Sequence, residues 1–232
     1  MNKGTYTLTE KGAHLVLTMT PDMDETPDDR YPFLSQWDDG HQVTFKGLDY
    51  RNYANRTNGD CGPASLASLI WFHTIYRPTV NEVGLACGQP ADGNGSYWTN
   101  HGQLRAGAAS FGLTLATRSP YVPPQLDMDL IRAELADGRP VIALYHYGAL
   151  SQELRKFPGA TENQSSFRGT HWSLVVKMND DFVYVLDPNY KGSQRSDGDY
   201  RPIPIPAFDA AMRRVPESAY CSVPYQGLIL RL

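Results

Sequence analysis

The stretch of sequence that determines the fold is NGDCGPASLASLIWFH, which occupies residues 58–73. A turn of glycine, aspartate and proline opens a run of apolar residues at helical spacing, which predicts a helix with Cys61 in its first turn. The unpaired backbone N–H groups and the macrodipole at such a position favour an anion. The thiolate is the nucleophilic form of cysteine. The stretch therefore predicts an activated cysteine nucleophile.

A cysteine nucleophile needs an imidazole within hydrogen-bond reach and a third group that holds the imidazole in one tautomer. His171 stands at the entrance of a predicted strand, and Asp187 ends the partner strand sixteen residues later, after a hairpin turn. These two positions return side by side in an antiparallel hairpin. We therefore expect His171 and Asp187 to pair across the strand ends, while the helix that carries Cys61 packs against the sheet.

The remaining periodicity predicts helices first and strands second. Helices are expected over residues 61–76, 79–88, 103–111 and 128–136. Strands are expected over residues 141–145, 172–178, 182–186 and 227–232. This order is typical of an α+β fold in which the N-terminal helices pack on an antiparallel sheet.

The N-terminal part of the chain has a different character. Residues 5–19 alternate polar and apolar side chains, which predicts a β-hairpin, and an acidic, proline-rich linker follows over residues 21–32. One further strand is expected at residues 42–45. We predict an N-terminal extension over residues 1–45 and a single catalytic domain over residues 46–232.

Four short motifs occur in a fixed order along the chain. They are DCGPAS at 60–65, GRPV at 138–141, HW at 171–172 and DP at 187–188. Together they resemble the papain-like cysteine peptidases related to bacteriocin-processing, double-glycine leader peptidases, over roughly residues 53–190. The resemblance implies a papain-like fold and a bacterial or phage origin. It also implies that Cys61 is the nucleophile, His171 the base and then the acid, and Asp187 the orienting group.

One position departs from the family pattern. The family usually has a glutamine six residues before the cysteine, and its amide helps to bind the oxyanion. Asn55, which is one methylene shorter, occupies that position here. The resemblance implies the oxyanion role for Asn55, with Asn58 as its competitor. The loss of such a donor costs roughly 2.7–4 kcal/mol of transition-state stabilisation.

Other histidines and cysteines have weaker claims to a catalytic role. His146 follows a buried strand without a carboxylate at partner spacing, so it is expected to be a cleft wall or a structural histidine. His73 lies twelve residues beyond Cys61 on the same predicted helix. At 1.5 Å per residue that separation is about 18 Å, which is beyond reach of the thiol. Cys87 and Cys221 are expected to be structural.

Composition excludes several other classes of function. A formal net charge of −4 argues against nucleic acid as a partner. No window approaches the ~20 apolar residues of a membrane-spanning helix. CxxC, HExxH, GxxxxGK and GxGxxG patterns are all missing, so neither a metal nor a nucleotide cofactor is predicted. Three cysteines cannot all pair, and the start lacks the apolar core of a secretory signal, which predicts a cytoplasmic location.

The sequence thus predicts a cysteine peptidase that hydrolyses a peptide or protein substrate through a thioester intermediate, without a cofactor. The same three residues would also serve deamidation, isopeptide cleavage or acyl transfer, because all of these proceed through an acyl thioester. A papain-like scaffold retained as an inactive binding module is the non-enzymatic alternative.

Overall fold

The described part of the chain contains ten strands, six α-helices and the 3-10 helix Gly192–Gly198. The computed structural model describes residues 5–11, 14–20, 30–55, 59–90, 98–118, 128–157, 160, 167–216 and 229–232. The strands are β1 (Thr5–Lys11), β2 (His14–Thr20), β3 (Asp39–Phe45), β4 (Leu48–Tyr53), β5 (Ala116–Arg118), β6 (Val141–His146), β7 (Thr170–Met178), β8 (Phe182–Leu186), β9 (Arg201–Pro204) and β10 (Ile229–Arg231). The helices are α1 (Cys61–His73), α2 (Val80–Ala86), α3 (His101–Ser110), α4 (Met128–Ala136), α5 (Tyr147–Leu154) and α6 (Ile205–Met212).

The central feature is a six-stranded sheet in the order β5-β10-β6-β7-β8-β9. Every neighbouring pair in it is antiparallel. The strands β1 and β2 form a separate hairpin, as the alternation over residues 5–19 predicts, and β3 and β4 form another. The α+β arrangement expected from the sequence is confirmed.

Helices cover both faces of this sheet. Along β6, Ile142 and Leu144 belong to one hydrophobic cluster, which includes the buried residues of α1. The alternate residues Val141 and Ala143 belong to a second cluster, together with residues of α4, α5 and α6. Neighbouring side chains of a strand point to opposite faces, so β6 is buried on both sides and reads as an unbroken apolar run. The sequence predicts the helical layer that contains α1, whereas it does not predict α5 and α6 on the other face.

The start of α5 explains why the sequence does not reveal this helix. Its N-cap is His146, whose Nδ1 accepts a hydrogen bond of 2.9 Å from the backbone N–H of Ala149. Helix starts are usually recognised by serine, threonine, aspartate or asparagine at this position. An imidazole performs the same task here. His146 thus has a structural contact at this helix start, which agrees with one of the two roles expected for it.

The main helix, α1, ends at His73, three residues before the predicted end at Tyr76. Thr74 is extended rather than helical. Its Oγ1 donates to the carbonyl of Ile70 at 2.8 Å, and its backbone N–H donates to the same carbonyl at 3.0 Å. One threonine thus satisfies a carbonyl of the last turn twice and allows the chain to leave the helix.

An extended segment, residues 30–38, runs across the loop that follows β8. Ser35 Oγ lies 3.1 Å from the carbonyl of Pro188 and 2.7 Å from that of Tyr190. The carboxylate of Asp38 accepts two hydrogen bonds from Arg195, at 2.7 and 2.9 Å. Residues 30–38 therefore pack against the loop that carries Asp187. The predicted boundary at residue 45 remains a prediction.

Candidate active site

The thiol of Cys61 lies at the start of α1, as the sequence predicts. Cys61 is the first residue of the helix, and the carbonyl of Asp60 accepts the first helical hydrogen bond, from Ala64, at 2.9 Å. The N–H groups of the first turn have no partner within a helix and point along its axis. An anion on the sulfur, or on a substrate oxygen next to it, is therefore stabilised at this point.

Gly62 allows this helix end to approach β7 closely. A Cβ at this position would lie 3.2 Å from Cδ1 of Trp172 and 3.1 Å from Cδ2 of Leu104. The Trp172 ring is also fixed from the other side, because its Nε1 donates to the carbonyl of Thr99 at 2.9 Å. The residue next to His171 is thus packed against the residue next to Cys61.

His171 lies on β7, opposite Tyr145 of β6. Its Nε2 donates to Oδ1 of Asp187 at 2.9 Å, and the imidazole is also hydrogen bonded to the side chain of Cys61. Because Asp187 occupies Nε2, Nδ1 is the nitrogen that remains for the thiol. The structure therefore brings together the three side chains that the sequence analysis selects.

The strand register explains why His171 and Asp187 meet. Leu174 of β7 pairs with Leu186 of β8, so the next residue, Asp187, comes opposite Ser173. His171 and Ser173 lie two residues apart, and they therefore project from the same face of β7. The carboxylate and the imidazole are diagonal neighbours on that face, and this arrangement depends on the one-residue register shift between Val175 and Lys177.

Asp187 is fully buried and accepts four hydrogen bonds. Oδ1 accepts from His171 and, at 3.1 Å, from the backbone N–H of Asn189. Oδ2 accepts from Arg201 Nη1 at 2.7 Å and from the hydroxyl of Tyr147 at 3.1 Å. Burial alone would raise the pKa of Asp187, but His171, Arg201 and the Asn189 N–H outweigh it and lower this pKa to about 2. The carboxylate is ionised at neutral pH.

The pKa of His171 moves in the opposite direction. Burial alone would lower it, but the charge and hydrogen bond of Asp187, together with Cys61, raise this pKa to about 9. The imidazole is therefore protonated at neutral pH. An imidazolium between a carboxylate and a sulfur is arranged both to stabilise a thiolate and to give up a proton later.

Aromatic rings enclose the imidazole and keep water from it. The ring centroids of Tyr147, Tyr145 and Phe167 lie 4.7, 5.6 and 6.3 Å from that of His171. His171 is only 1% exposed and Cys61 only 2%. Electrostatic interactions are stronger in such a low-dielectric environment than in water. The hydrogen-bonded chain from sulfur to carboxylate is therefore well shielded.

The two predicted oxyanion residues lie within or next to residues 56–58, which the structure does not describe. Asn55 lies just beyond the end of β4 and is half-buried. Within the described ranges its side chain has no hydrogen-bond partner. Asn58 lies outside the described residues. The oxyanion role of either residue remains a prediction.

Two other groups considered in the sequence analysis are assigned to structural positions. His73 accepts or donates a 2.9 Å hydrogen bond with the hydroxyl of Tyr31, at the far end of α1. Cys87 is buried, and burial raises the pKa of its thiol to about 12, so it is a poor nucleophile. Cys221 lies outside the described residues.

Sequence reasoning missed two residues that bind Asp187. Tyr147 belongs to α5 and Arg201 to β9, and neither element is predicted. Arg201 pairs in register with Val185 of β8, which places it on the same face as Asp187. The signal that could have identified β9 is the apolar residue Ile203 between two prolines, which an edge strand tolerates.

The described residues contain neither a candidate metal cluster nor a candidate membrane span. They contain no cluster of three or more His, Cys, Asp or Glu side chains suited to a metal ion. Among these same residues, no helix combines the length and the apolar character that crossing a bilayer requires.

Comparison with solved structures confirms the papain-like α+β fold. A proposed C39-like peptidase from Bacillus anthracis aligns with 87% of this chain and 94% of its own, at 12% identity and a TM-score of 0.50. A double glycine motif protease from an AMS/PCAT transporter, solved in complex with the leader peptide, aligns with 73% of this chain and 81% of its own. That second match has 18% identity and a TM-score of 0.34. At these identities the first match shows the fold alone, and the second adds nothing to it.

Comparison with sequence families gives a more specific result. No curated protein matches the chain. The model of the Peptidase_C39 like family, however, matches residues 29–210, a segment that contains Cys61, His171 and Asp187. The resemblance to bacteriocin-processing peptidases is thereby confirmed at the level of the family. Because the family model matches most of the length of the chain, the chain belongs to the Peptidase_C39 like family and is a cysteine-type peptidase.

Proposed function

We propose that the chain hydrolyses peptide bonds in a peptide or protein substrate, with Cys61 as nucleophile, His171 as general acid and base, and Asp187 as the group that orients His171. The observation that carries the proposal is the buried chain of contacts from Cys61 through the imidazole to Asp187, with the 2.9 Å bond between His171 Nε2 and Asp187 Oδ1 at its centre. This is the nucleophile, base and orienter arrangement of acyl transfer.

The reaction would begin with attack of the Cys61 thiolate on the carbonyl carbon of the substrate. A C–S bond forms, and the carbonyl electrons move to oxygen. The backbone N–H of Cys61 and, in our prediction, the Asn55 amide stabilise this oxyanion. His171 then gives its proton to the amide nitrogen, the C–N bond breaks, and the amine leaves from a thioester.

The second half of the reaction regenerates the protein. His171, now neutral, takes a proton from water as the water oxygen attacks the thioester carbonyl. The C–S bond breaks, the carboxylic acid leaves, and the thiolate–imidazolium pair forms again. Asp187 stays ionised throughout and holds the ring so that Nδ1 faces the sulfur.

The proposal is tested with a quenched-fluorescent peptide library and with the variants Cys61→Ala and His171→Ala. We expect each variant to abolish turnover. The matched control is Cys87→Ala, which also removes a buried thiol but lies outside the proposed site, and we expect it to keep turnover.

Intact-mass analysis of an incubated protein substrate identifies the reaction. Hydrolysis cuts the chain, whereas deamidation adds about one dalton without a cut. Turnover that survives in Cys61→Ala would refute the proposal, and a mass increase without cleavage would replace peptide hydrolysis with deamidation.

A further inference from the structure

We propose that Arg201 is a positioning residue that balances the charge of the site. It offsets the negative charge of Asp187, so that Asp187 orients His171 and the imidazolium can still release its proton. The inference rests on the proposed function, because it concerns how readily His171 releases a proton.

The position of Arg201 is set by the sheet. β9 is an edge strand that pairs with β8, and Arg201 lies opposite Val185. Residues 185 and 187 project from the same face, so the guanidinium on β9 reaches the carboxylate at the end of the neighbouring strand β8. Arg201 Nη1 lies 2.7 Å from Asp187 Oδ2, and both side chains are at most 1% exposed. A tyrosine ring, Tyr190, covers the guanidinium with its centroid 5.3 Å from Cζ.

The charges of the working site sum to zero only when Arg201 is counted. A thiolate and an imidazolium cancel each other, and Asp187 then leaves the buried site with one excess negative charge. An uncompensated charge in such an environment is very unfavourable. Arg201 supplies the missing positive charge. A Cys-His-Asn site reaches the same balance with two charges fewer, because its orienting amide is neutral.

Within the described part of the chain, the titratable groups besides Asp187 that act on Arg201 are tyrosines. Burial raises the pKa of Tyr145 on β6, of Tyr147 on α5 and of Tyr190 in the loop after β8, so all three stay neutral well above neutral pH. Asp197 of the 3-10 helix Gly192–Gly198 acts on Tyr190. Among the described residues, the charge felt by the imidazole at Nε2 is thus set by Asp187 and Arg201.

Asp187 and Arg201 therefore change the proton affinity of the imidazole in opposite directions. Its negative charge strengthens the hold of His171 on its proton, and the positive charge of Arg201, on the far oxygen, weakens that hold. Without Arg201, the imidazolium would face the full charge of the carboxylate. It would then protonate the leaving amine more slowly.

The test is an NMR titration of the imidazole nitrogens in protein labelled with 15N-histidine, with the His171 signal assigned by its loss in His171→Ala. The titration needs no substrate, so its failure and the failure of the peptidase proposal are distinguishable. We expect the His171 pKa, about 9 in the unmodified protein, to rise in Arg201→Met and to fall in Asp187→Asn towards or below 6.5. The double variant Asp187→Asn/Arg201→Met should lie between Asp187→Asn and the unmodified protein.

A purely structural role for Arg201 predicts the opposite sign. If the arginine only holds the carboxylate in place, Arg201→Met loosens the bond between His171 and Asp187, and the His171 pKa falls or stays unchanged. Either result would overturn the proposal. Arg201→Lys keeps the charge and should keep the His171 pKa near that of the unmodified protein.

One control variant and one second measurement keep the test decisive. Arg195→Met removes an arginine from another ion pair, with Asp38, and should leave the His171 titration in place. If Asp187→Asn or Arg201→Met does not fold, the thermal stability of the double variant provides the test. Charge balance predicts that the double variant, which has no unpaired buried charge, is more stable than Asp187→Asn and Arg201→Met. A double variant that is no more stable than they are would overturn the proposal.

Discussion

Replacement of Gly198 by alanine provides a sharp test of how strictly the structure positions Asp187. Gly198 ends the 3-10 helix, and its carbonyl accepts a 2.8 Å hydrogen bond from the backbone N–H of Asp187. An added Cβ would lie 2.8 Å from Cζ of Phe33 and closer still to the carbonyl oxygen of Asp187. Ordinary contacts begin at 3.4 Å, and the nearest obstacle is backbone, which cannot rotate away. The Asp187 segment therefore has to move.

The size of the effect follows from that movement. The carbonyl of Asp187 must retreat by roughly one ångström, and such a displacement of a catalytic constellation costs on the order of 100-fold in rate. That loss corresponds to about 2.7 kcal/mol of transition-state stabilisation. Overpacking of the site would also lower the free energy of unfolding by about 1–3 kcal/mol.

The assay is kcat/KM on a quenched-fluorescent peptide, measured beside a thermal unfolding curve. The control is Ser196→Ala, an exposed position of the same 3-10 helix, where kcat/KM and stability should both stay unchanged. A folded Gly198→Ala protein with kcat/KM within threefold of the control would refute the reasoning. It would mean that the position of Asp187 does not govern the activity.

Three further predictions follow from the same geometry. Because His171 must be protonated to release the amine, kcat/KM should fall as pH rises through about 9. In Asp187→Asn this fall in kcat/KM should occur at lower pH. A fall at the same pH in both proteins would argue against His171 as the acid. Iodoacetamide should label Cys61 faster than Cys87, whose thiol has a pKa of about 12, and equal rates measured by peptide mapping would contradict an activated Cys61. Tyr147→Phe removes one donor from the ionised Asp187 and should lower the free energy of unfolding by about 1.5–3 kcal/mol, while a melting curve identical to that of the unmodified protein would show that this hydrogen bond contributes nothing.

The folding stability of the protein should also depend on pH through the same pair. The folded state raises the pKa of His171 from 6.5 to about 9, so its contribution is fully present below 6.5 and is lost as pH rises through 9. The folded state lowers the pKa of Asp187 to about 2, so this contribution is present above 3.8 and is lost as pH falls through 2. Chemical unfolding curves measured across this range should show both losses in the unmodified protein. In Asp187→Asn both should be missing, and their persistence would contradict the assignment.

The parts of the site that sequence could predict are those with a local signature. Cys61 is followed at once by a helix, and a hairpin turn of fixed length separates His171 from Asp187. The first feature depends on local sequence alone. The second also depends on a one-residue register shift between Val175 and Lys177, which the spacing does not reveal but which puts Asp187 on the face of His171. The structure places these residues as expected.

The parts that sequence could not predict depend on long-range packing or on unusual local chemistry. Helix α5 begins with a histidine cap, and strand β9 contains two prolines, so both lack the usual signals. The turn before β4 is made by Lys46 and Gly47, both with positive φ, at 50° and 74°. A lysine in the sequence does not predict a positive φ, because non-glycine residues rarely adopt it. Arg201 and Tyr147, which complete the environment of Asp187, lie on these unpredicted elements.

The central claim is that the Cys61 sulfur attacks a carbonyl because His171 activates it. The most direct measurement is the site and rate of modification by a peptidyl chloromethyl ketone, followed by intact mass and peptide mapping. We predict a single adduct on Cys61 in the unmodified protein, at least about 100-fold slower modification in His171→Ala, and no adduct in Cys61→Ala. Modification of another residue, or an unchanged rate in His171→Ala, would contradict the claim.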